Sequence, residues 1–291
     1  MSSFQGTRIN PREFHKSQIP FYLILIPFSL LMILPIVFII NHAFKPLNEL
    51  FAYPPRFFVK NPTFNNFNEF SRVSSGSAVP FSRYIVNSLL VTSVGVFLAI
   101  LITSLAAYGL SKLKFKGKKV LFEINTLALM FVPVAVGIPR YIIIARSGLI
   151  DSYLAHILPI IVMPVAMFLV KQFIDQTPDE LIEAAKIDGA SEMQIFFKII
   201  VPIVQPAIAT VGILTFQALW NDTSTSILYV NDESKRTLAF YMMSLTSAQG
   251  NTVAGQGMAA AASLIMFLPN LILFILLQSR VMNTMAHSGI K

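Results

Sequence analysis

Few residues in this chain can do chemistry, and their spacing narrows what that chemistry is. Four histidines, His15, His42, His156 and His287, lie far apart and form no HExxH pair, so no metal site is expected. Cysteine is absent, which removes thiolate metal sites, cysteine nucleophiles and iron–sulfur clusters. The Gly117-Lys118 pair is followed by Lys119 instead of Ser or Thr and has no glycine five residues before it, so it is not a P-loop. No GxSxG elbow occurs. No catalytic residue is expected. Acidic side chains do cluster: Asp179, Glu180, Glu183, Asp188 and Glu192 fall in one stretch, opposed only by Lys186 and Lys198. That stretch suits contact with another macromolecule better than bond-making.

The elements that position it follow from composition. Of 291 residues only 12% are charged and 55% are hydrophobic, with Phe at 25 positions. Soluble domains carry roughly 25% charge. So little charge excludes an ordinary soluble enzyme, because charged residues must cover a water-facing surface. The hydrophobicity also excludes intrinsic disorder.

A helix needs about 20 apolar residues to cross the hydrocarbon core. Stretches poor in Asp, Glu, Lys and Arg predict an all-α polytopic membrane protein with six spans, at about 19–40, 85–110, 121–144, 153–173, 201–220 and 258–279. The third is the least regular, with Glu123 near its start and Arg140 near its end. Arg8, Arg12 and Lys16 precede the first span as in a signal peptide. Its apolar run is longer than the usual 7–15 residues of a signal core and lacks a clear cleavage site, so an uncleaved span is the better reading. Pro133, Pro139, Pro159, Pro164, Pro202, Pro206 and Pro269 lie in or beside spans, where they bend helices whose freed carbonyls need other partners. Small residues recur every four positions, as Ala99-Thr103-Ala107 and Gly255-Ala259-Ser263, a spacing for close helix packing.

Orientation follows from loop charge. Lys112, Lys114, Lys116, Lys118 and Lys119 crowd the loop after the second span, which marks it as cytoplasmic. The lysines read mainly as topological anchors that also attract membrane lipid. The tails 1–18 and 282–291, with Arg280 and Lys291, are then cytoplasmic, and 45–83 and 221–257 face outward. The +8 net charge reads as orientation, not as a nucleic-acid signal. No span carries an unambiguous mid-membrane charge of the kind a secondary carrier uses. His156, inside the fourth span, reads as a helix–helix hydrogen-bonding group.

The acidic stretch is the cytoplasmic loop 176–200. Thr177, Pro178 and Glu180 predict a helix start with a capping box. Asp188-Gly189 predicts its end, with Gly189 in the left-handed conformation. Ser191 and Gln194 predict a second capping box, and Ile195, Phe196, Ile199 and Ile200 follow a helical period. Two short helices with a tight turn can bind DNA, but this excess of acid repels phosphates. A protein-docking knob, or a surface helix capping the bundle, fits better. Ala184, Ala185 and Gly189 leave room for close approach.

The run Glu183-Ala184-Ala185, then Asp188-Gly189-Ala190, then Phe196, Ile199 and Pro202, resembles the EAA signature of ABC importer permeases. Val201 stands before Pro202 where many relatives have Leu. Asn87-Ser88-Leu89, Ala106-Ala107-Tyr108, Phe115-Lys116-Gly117, Pro139, Gly148-Leu149-Ile150-Asp151, Pro178, Trp220-Asn221-Asp222 and Thr237-Leu238 resemble the carbohydrate branch, and in particular the six-span partner of maltose-type importers. The resemblance implies the type I importer permease fold within 19–281, in a bacterial cytoplasmic membrane. It implies that Glu183, Ala184, Ala185, Asp188, Gly189 and Ala190 couple to an ATPase subunit. It also implies a second homologous permease, two ATPase subunits that hold ATP and Mg, and an external sugar-binding protein, with no cofactor on this chain. Trp220, Asn221 and Asp222 are candidate external or pore contacts, although a Trp at a span end also serves as an interface anchor. The polar run Ser247 to Gln256 is a candidate loop for reaching the binding protein. A permease for a non-sugar solute, and a secondary carrier, are the alternatives.

Overall fold

Residues 16–69, 79–132, 134–249 and 253–288 are described by the computed structural model. Arg8, Arg12 and Lys291, used above for orientation, lie outside the described residues, as do Pro133, the middle of the polar run at 250–252 and the Arg280 side chain. The described residues form helices and turns, with no strand among them. The chain divides into two units, one of Met1–Ser71 with Thr246–Leu264, the other of Arg72–Leu245 with Ile265–Lys291.

In the first unit, α1 (Ile19–Ala43) is an apolar helix of whose residues only Ala43 is buried. The segment after it is tied down by polar contacts. The Asn66 amide donates to the Ala43 and Lys45 carbonyls, both at 2.9 Å, and so satisfies orphan groups at the helix end. Buried Glu49 accepts from the Lys60 and Asn61 N–H groups at 3.0 and 2.9 Å. Gly257 lies where a Cβ would run into the Asn66 amide, so only glycine fits.

The second unit is built on α2 (Phe81–Lys112), a 32-residue helix free of internal proline. It is followed by α3 (Lys118–Ala128) and α4 (Gly137–Arg146), then α5 (Tyr153–Ile161) and α6 (Pro164–Asp175). Next come α7 (Asp179–Ile187), α8 (Glu192–Ile203), α9 (Gln205–Trp220), α10 (Ser224–Tyr229) and α11 (Leu238–Gln249). The long α12 (Val253–Ser288) runs through both units, with its part from Ile265 onward in the second. α2 packs on α5, α6 and α9 through Ala99, Thr103 and Ala107, all buried. At Gly95 the Leu219 side chain fills the place of a Cβ. Small residues let membrane helices gain van der Waals contact where lipid supplies no hydrophobic drive.

The spans are less regular than six unbroken helices. Among the described residues three helices are long and apolar enough to cross a bilayer: Ile19–Ala43, Phe81–Lys112 and Gly255–Gln278. Two bent pairs raise the number to five if each is one span. The expected third span is α3 and α4, with turns at 129–130 and 134–136 between them. The fourth bends by 49° between α5 and α6, because Met163 precedes Pro164 and is driven to an extended conformation. The expected fifth span, 201–220, contains an 81° bend between Ile203 and Gln205. Ahead of that bend, Phe196–Ile200 forms a wide turn in which the Val201 N–H reaches the Phe196 carbonyl. Such single i→i+5 turns interrupt α-helices locally, here just before Pro202.

Candidate docking site

The acidic loop forms the hairpin α7–Gly189–α8. α7 begins at Asp179, one residue later than expected, and the Thr177/Glu180 capping box is absent. Thr177 is instead turned inward: its N–H donates to Ile174, its carbonyl accepts from Lys112 Nζ at 2.6 Å, and its hydroxyl is buried without a partner. Asp179 and Glu180 still occupy the first turn, where negative charge suits the helix dipole.

The end of α7 is built as the sequence indicated. Gly189 has φ +80°, its N–H donates to Lys186, and the Ala190 N–H donates to Ala185 at 2.9 Å. This pair of bonds is a Schellman cap, which needs a left-handed residue at that position. The second helix opens with a complete capping box: the Ser191 N–H donates to Gln194 Oε1 at 2.8 Å, and the Gln194 N–H donates to Ser191 Oγ at 3.4 Å.

One side of the hairpin is sunk into the bundle. Ile182, Ile195, Phe196 and Ile200 are buried against Ala107 and Tyr108 of α2 and Ala166, Val170 and Ile174 of α6. Polar links reinforce the seat. Tyr108 Oη donates to Glu192 Oε2 at 2.6 Å, and Lys186 Nζ bridges to Glu192 Oε1 at 2.6 Å. The Lys186 ammonium, and then the Tyr108 hydroxyl, hold the Glu192 carboxyl below its ordinary range. Lys112 Nζ pairs with Asp179 at 2.6 Å and pulls that carboxyl down in the same way. Lys118 donates to the Ser111 and Leu113 carbonyls. The lysine-rich loop and the acidic hairpin thus occupy one end of the unit. Lys112 and Lys118 are structural fasteners as well as charges, a role the sequence pattern did not reveal.

The other side of the hairpin is open among the described residues. Glu183, Ala184, Asp188 and Gly189 are exposed, Ala185 and Ala190 are half-buried, and Ile187 is 86% exposed. A Cβ added at Gly189 would touch nothing. An apolar side chain held out beside carboxylates and small residues is a surface shaped for close contact.

The opposite end of the unit gathers residues from distant elements. Asn87 donates to the Ser234 and Arg236 carbonyls, both at 2.8 Å, and accepts from Tyr153 Oη at 2.8 Å. Tyr84 Oη donates to Glu233 at 2.9 Å, and Ser88 Oγ accepts from the Leu238 N–H. Asp151, at φ +62°, accepts from the Asn231 and Asp232 N–H groups at 2.6 and 2.9 Å. Those amides hold its carboxyl below the usual range. His156 is buried with Nδ1 on Thr225 Oγ1 at 2.7 Å and Nε2 on the Lys235 carbonyl at 3.2 Å, in keeping with its reading as an interhelix hydrogen-bonding group.

Trp220, Asn221 and Asp222 are adjacent to this end and make contacts within the fold. Trp220 is only 4% exposed, stacks on Phe216, and donates Nε1–H to the Met266 carbonyl at 3.1 Å. It is an internal tie between α9 and α12, not a surface anchor. Asn221 is exposed and accepts from Asn270. Asp222 Oδ2 accepts from the Thr225 N–H at 2.9 Å and from its hydroxyl.

Comparisons with known proteins agree with this architecture. The profile of the family described as "Binding-protein-dependent transport system inner membrane component" matches residues 17–279. The arabinooligosaccharides transport system permease protein AraQ of Bacillus subtilis (strain 168) is 29% identical over 280 residues, 96% of this chain and 98% of that protein. The polygalacturonan/rhamnogalacturonan transport system permease protein YtcP of the same organism is 33% identical over 215 residues, 74% of this chain and 72% of that protein. Among solved structures, a bacterial ABC transporter involved in import of the acidic polysaccharide alginate superposes with a TM-score of 0.77 at 20% identity, covering 92% of this chain and 98% of that one. At that identity the likeness shows the fold.

Proposed function

The chain belongs to the family of binding-protein-dependent transport system inner membrane components, and from that premise we propose that it is one membrane subunit of an ATP-driven saccharide importer. It forms half of the pathway beside a second, homologous permease. Two ATPase subunits that bind ATP and Mg sit on the α7–α8 hairpin, and an external binding protein delivers the saccharide from the other side. The saccharide reading is supported by the names of AraQ and YtcP, which cover most of this chain. The end with Lys112 to Lys119 is the cytoplasmic end.

The observation that carries the coupling role is the two-sidedness of the hairpin. Its buried side is keyed into α2 and α6, while Glu183, Ile187 and Gly189 stand free. A push on the free side is therefore delivered to two spans at once. Any free energy passed this way acts equally in both directions.

The test is Gly189→Val in the assembled complex. A β-branched residue at φ +80° costs roughly 1–2 kcal/mol of local strain, and its side chain meets nothing in this chain. Expected is a complex that still assembles, with saccharide uptake per ATP hydrolysed reduced about tenfold. Normal uptake by a fully assembled Gly189→Val complex would sink the coupling role of this turn.

A further inference from the structure

The segment that follows α1 folds back on the helix it leaves. The Thr63 N–H donates to the Phe44 carbonyl at 2.8 Å, and the Asn66 amide holds the Ala43 and Lys45 carbonyls. Residues 57–59 are laid along the last turns of α1. The Val59 N–H donates to Asn41 Oδ1 at 3.0 Å, and the Phe57 ring lies 6.0 Å from the ring of Phe38, more than one turn inside the helix end.

These contacts fix the depth of the strap. Ile19–Ile40 carries no charged side chain, and at about 1.5 Å per residue it is about 33 Å long. The hydrocarbon core it crosses is about 30 Å thick. The edge of that core therefore falls among Phe38 to Asn41, the residues on which Phe57 and Val59 rest. Phe58, in the middle of the strap, packs its ring edge-on to Phe57 at 5.1 Å yet stays 67% exposed. Arg56 and Lys60 flank the strap, and both are exposed. Their main chains are already engaged: the Arg56 carbonyl accepts from Lys45 Nζ, and the Lys60 N–H donates to Glu49. The Glu49 carboxylate beside them is buried and taken up by the Lys60 and Asn61 N–H groups. The fold thus pins the backbone here and leaves one ring and two cations facing out.

We infer that 56–60 is a lipid-binding strap at the membrane interface: Phe58 dips into the acyl edge of the bilayer, and the Arg56 guanidinium and Lys60 ammonium bind phospholipid phosphates on either side of it. At the hydrocarbon boundary each group meets the surroundings it prefers, the ring among acyl chains and the cations among headgroups. The fork of N–H donors on arginine grips a phosphate in a bidentate manner. The partner is lipid because the ring and both cations stand at the boundary itself, where headgroups are the first neighbours. The strap also has work to do. Only Ala43 of α1 is buried, so little else within its unit sets the height of that helix in the bilayer. This inference does not use the saccharide reading.

The chain has no cysteine, so Phe58→Cys and, separately, Leu30→Cys each provide one site for a nitroxide label. The full chain is reconstituted in vesicles of phosphatidylethanolamine and phosphatidylglycerol, and collisions of the label with oxygen and with a water-soluble nickel chelate are measured by electron paramagnetic resonance. Leu30, midway along the apolar stretch, reports that the helix is inserted. The label at Phe58→Cys is expected to meet oxygen far more often than the chelate, as a group just below the phosphates does. Adding Arg56→Gln and Lys60→Gln to the same labelled chain should raise chelate access about fivefold, the scale of one basic residue's attraction to an anionic surface, with the Leu30 reading unchanged. The inference is overturned if the Phe58→Cys label is as open to the chelate as a group in water while the Leu30 label is shielded, or if the two glutamines change nothing. It is also overturned if chelate access falls only when the external binding protein is added, which would make the strap a docking surface for that protein.

Discussion

The two ends of the larger unit differ in how deeply their fasteners are buried. At the proposed outer end, segment 222–238 is held chiefly by hydrogen bonds from buried side chains, Asn87 to two carbonyls, Ser88 to one amide and His156 to Lys235 and Thr225, with the Asp151 and Glu233 carboxylates bonded beside them. At the hairpin end the fasteners are charged and half in water. The Lys186–Glu192 pair leaves both side chains nearly half exposed, and Asp179 is 74% exposed where it meets Lys112. Buried neutral bonds fix one geometry, because breaking any of them orphans a polar group. Exposed ion pairs are weak and can part and re-form at little cost. The proposed rocking at the hairpin end, with the outer segment kept in shape, fits this asymmetry.

The comparison breaks most visibly at Asn87. Asn87→Leu removes both amide donors and the acceptor of Tyr153, leaving the Ser234 and Arg236 carbonyls without that partner. The expected loss is roughly 3 kcal/mol of folding stability. It should appear as a marked drop in the thermal midpoint of the detergent-solubilised chain. A midpoint unchanged from wild type would show that the outer segment is held by something other than this lock.

Glu192→Ala probes the hairpin end and should cost less stability, about 1 kcal/mol, because the carboxylate is only partly shielded from water. Its larger effect should be functional. Without Glu192 the hairpin loses its tie to Tyr108 of α2, so the ATP hydrolysed per saccharide imported should rise several-fold. The stability difference should depend on pH. The Glu192 carboxyl is held below its unfolded value, chiefly by Lys186. Its contribution is complete above the ordinary Glu range and fades as pH falls through the lowered value. Thermal midpoints of wild type and Glu192→Ala should therefore converge in acid. A gap that stays constant into strong acid would exclude the ionic account.

How much of this was legible in the sequence tracks how local each signal is. The Gly189 turn and the Ser191/Gln194 box are set by residues within a few positions of each other, and both form. Thr177 looked equally local, yet a lysine 65 residues earlier claims its carbonyl and shifts the helix start to Asp179. Pro164 was visible as a helix bender, and the fourth span bends there by 49°. The outer lock left no local pattern. Asn87 meets Ser234 and Arg236 across almost 150 residues, and only a resemblance to other permeases drew notice to it and to Asp151. Trp220 was legible as an aromatic at a span end, while its burial depends on the Met266 carbonyl, which no spacing rule reaches.

The smallest expected effect, and the sharpest on charge, comes from Lys112. Its ammonium is shielded, with 9% of the side chain exposed, and it holds both the Asp179 carboxylate and the Thr177 carbonyl. Lys112→Met keeps the aliphatic stem and removes the charge, so the loss should stay near 0.5–1 kcal/mol, the scale of a partly exposed ion pair. If the hairpin is fastened electrostatically, added salt should weaken wild type toward the variant, since exposed charges are screened within about 10 Å at 0.1 M. The Asn87→Leu deficit, by contrast, should not respond to salt. Thermal midpoints of the three proteins over a salt series separate the two modes of fastening. A Lys112→Met gap that persists unchanged at high salt would mean that the Thr177 carbonyl bond, not the ion pair, seats the hairpin.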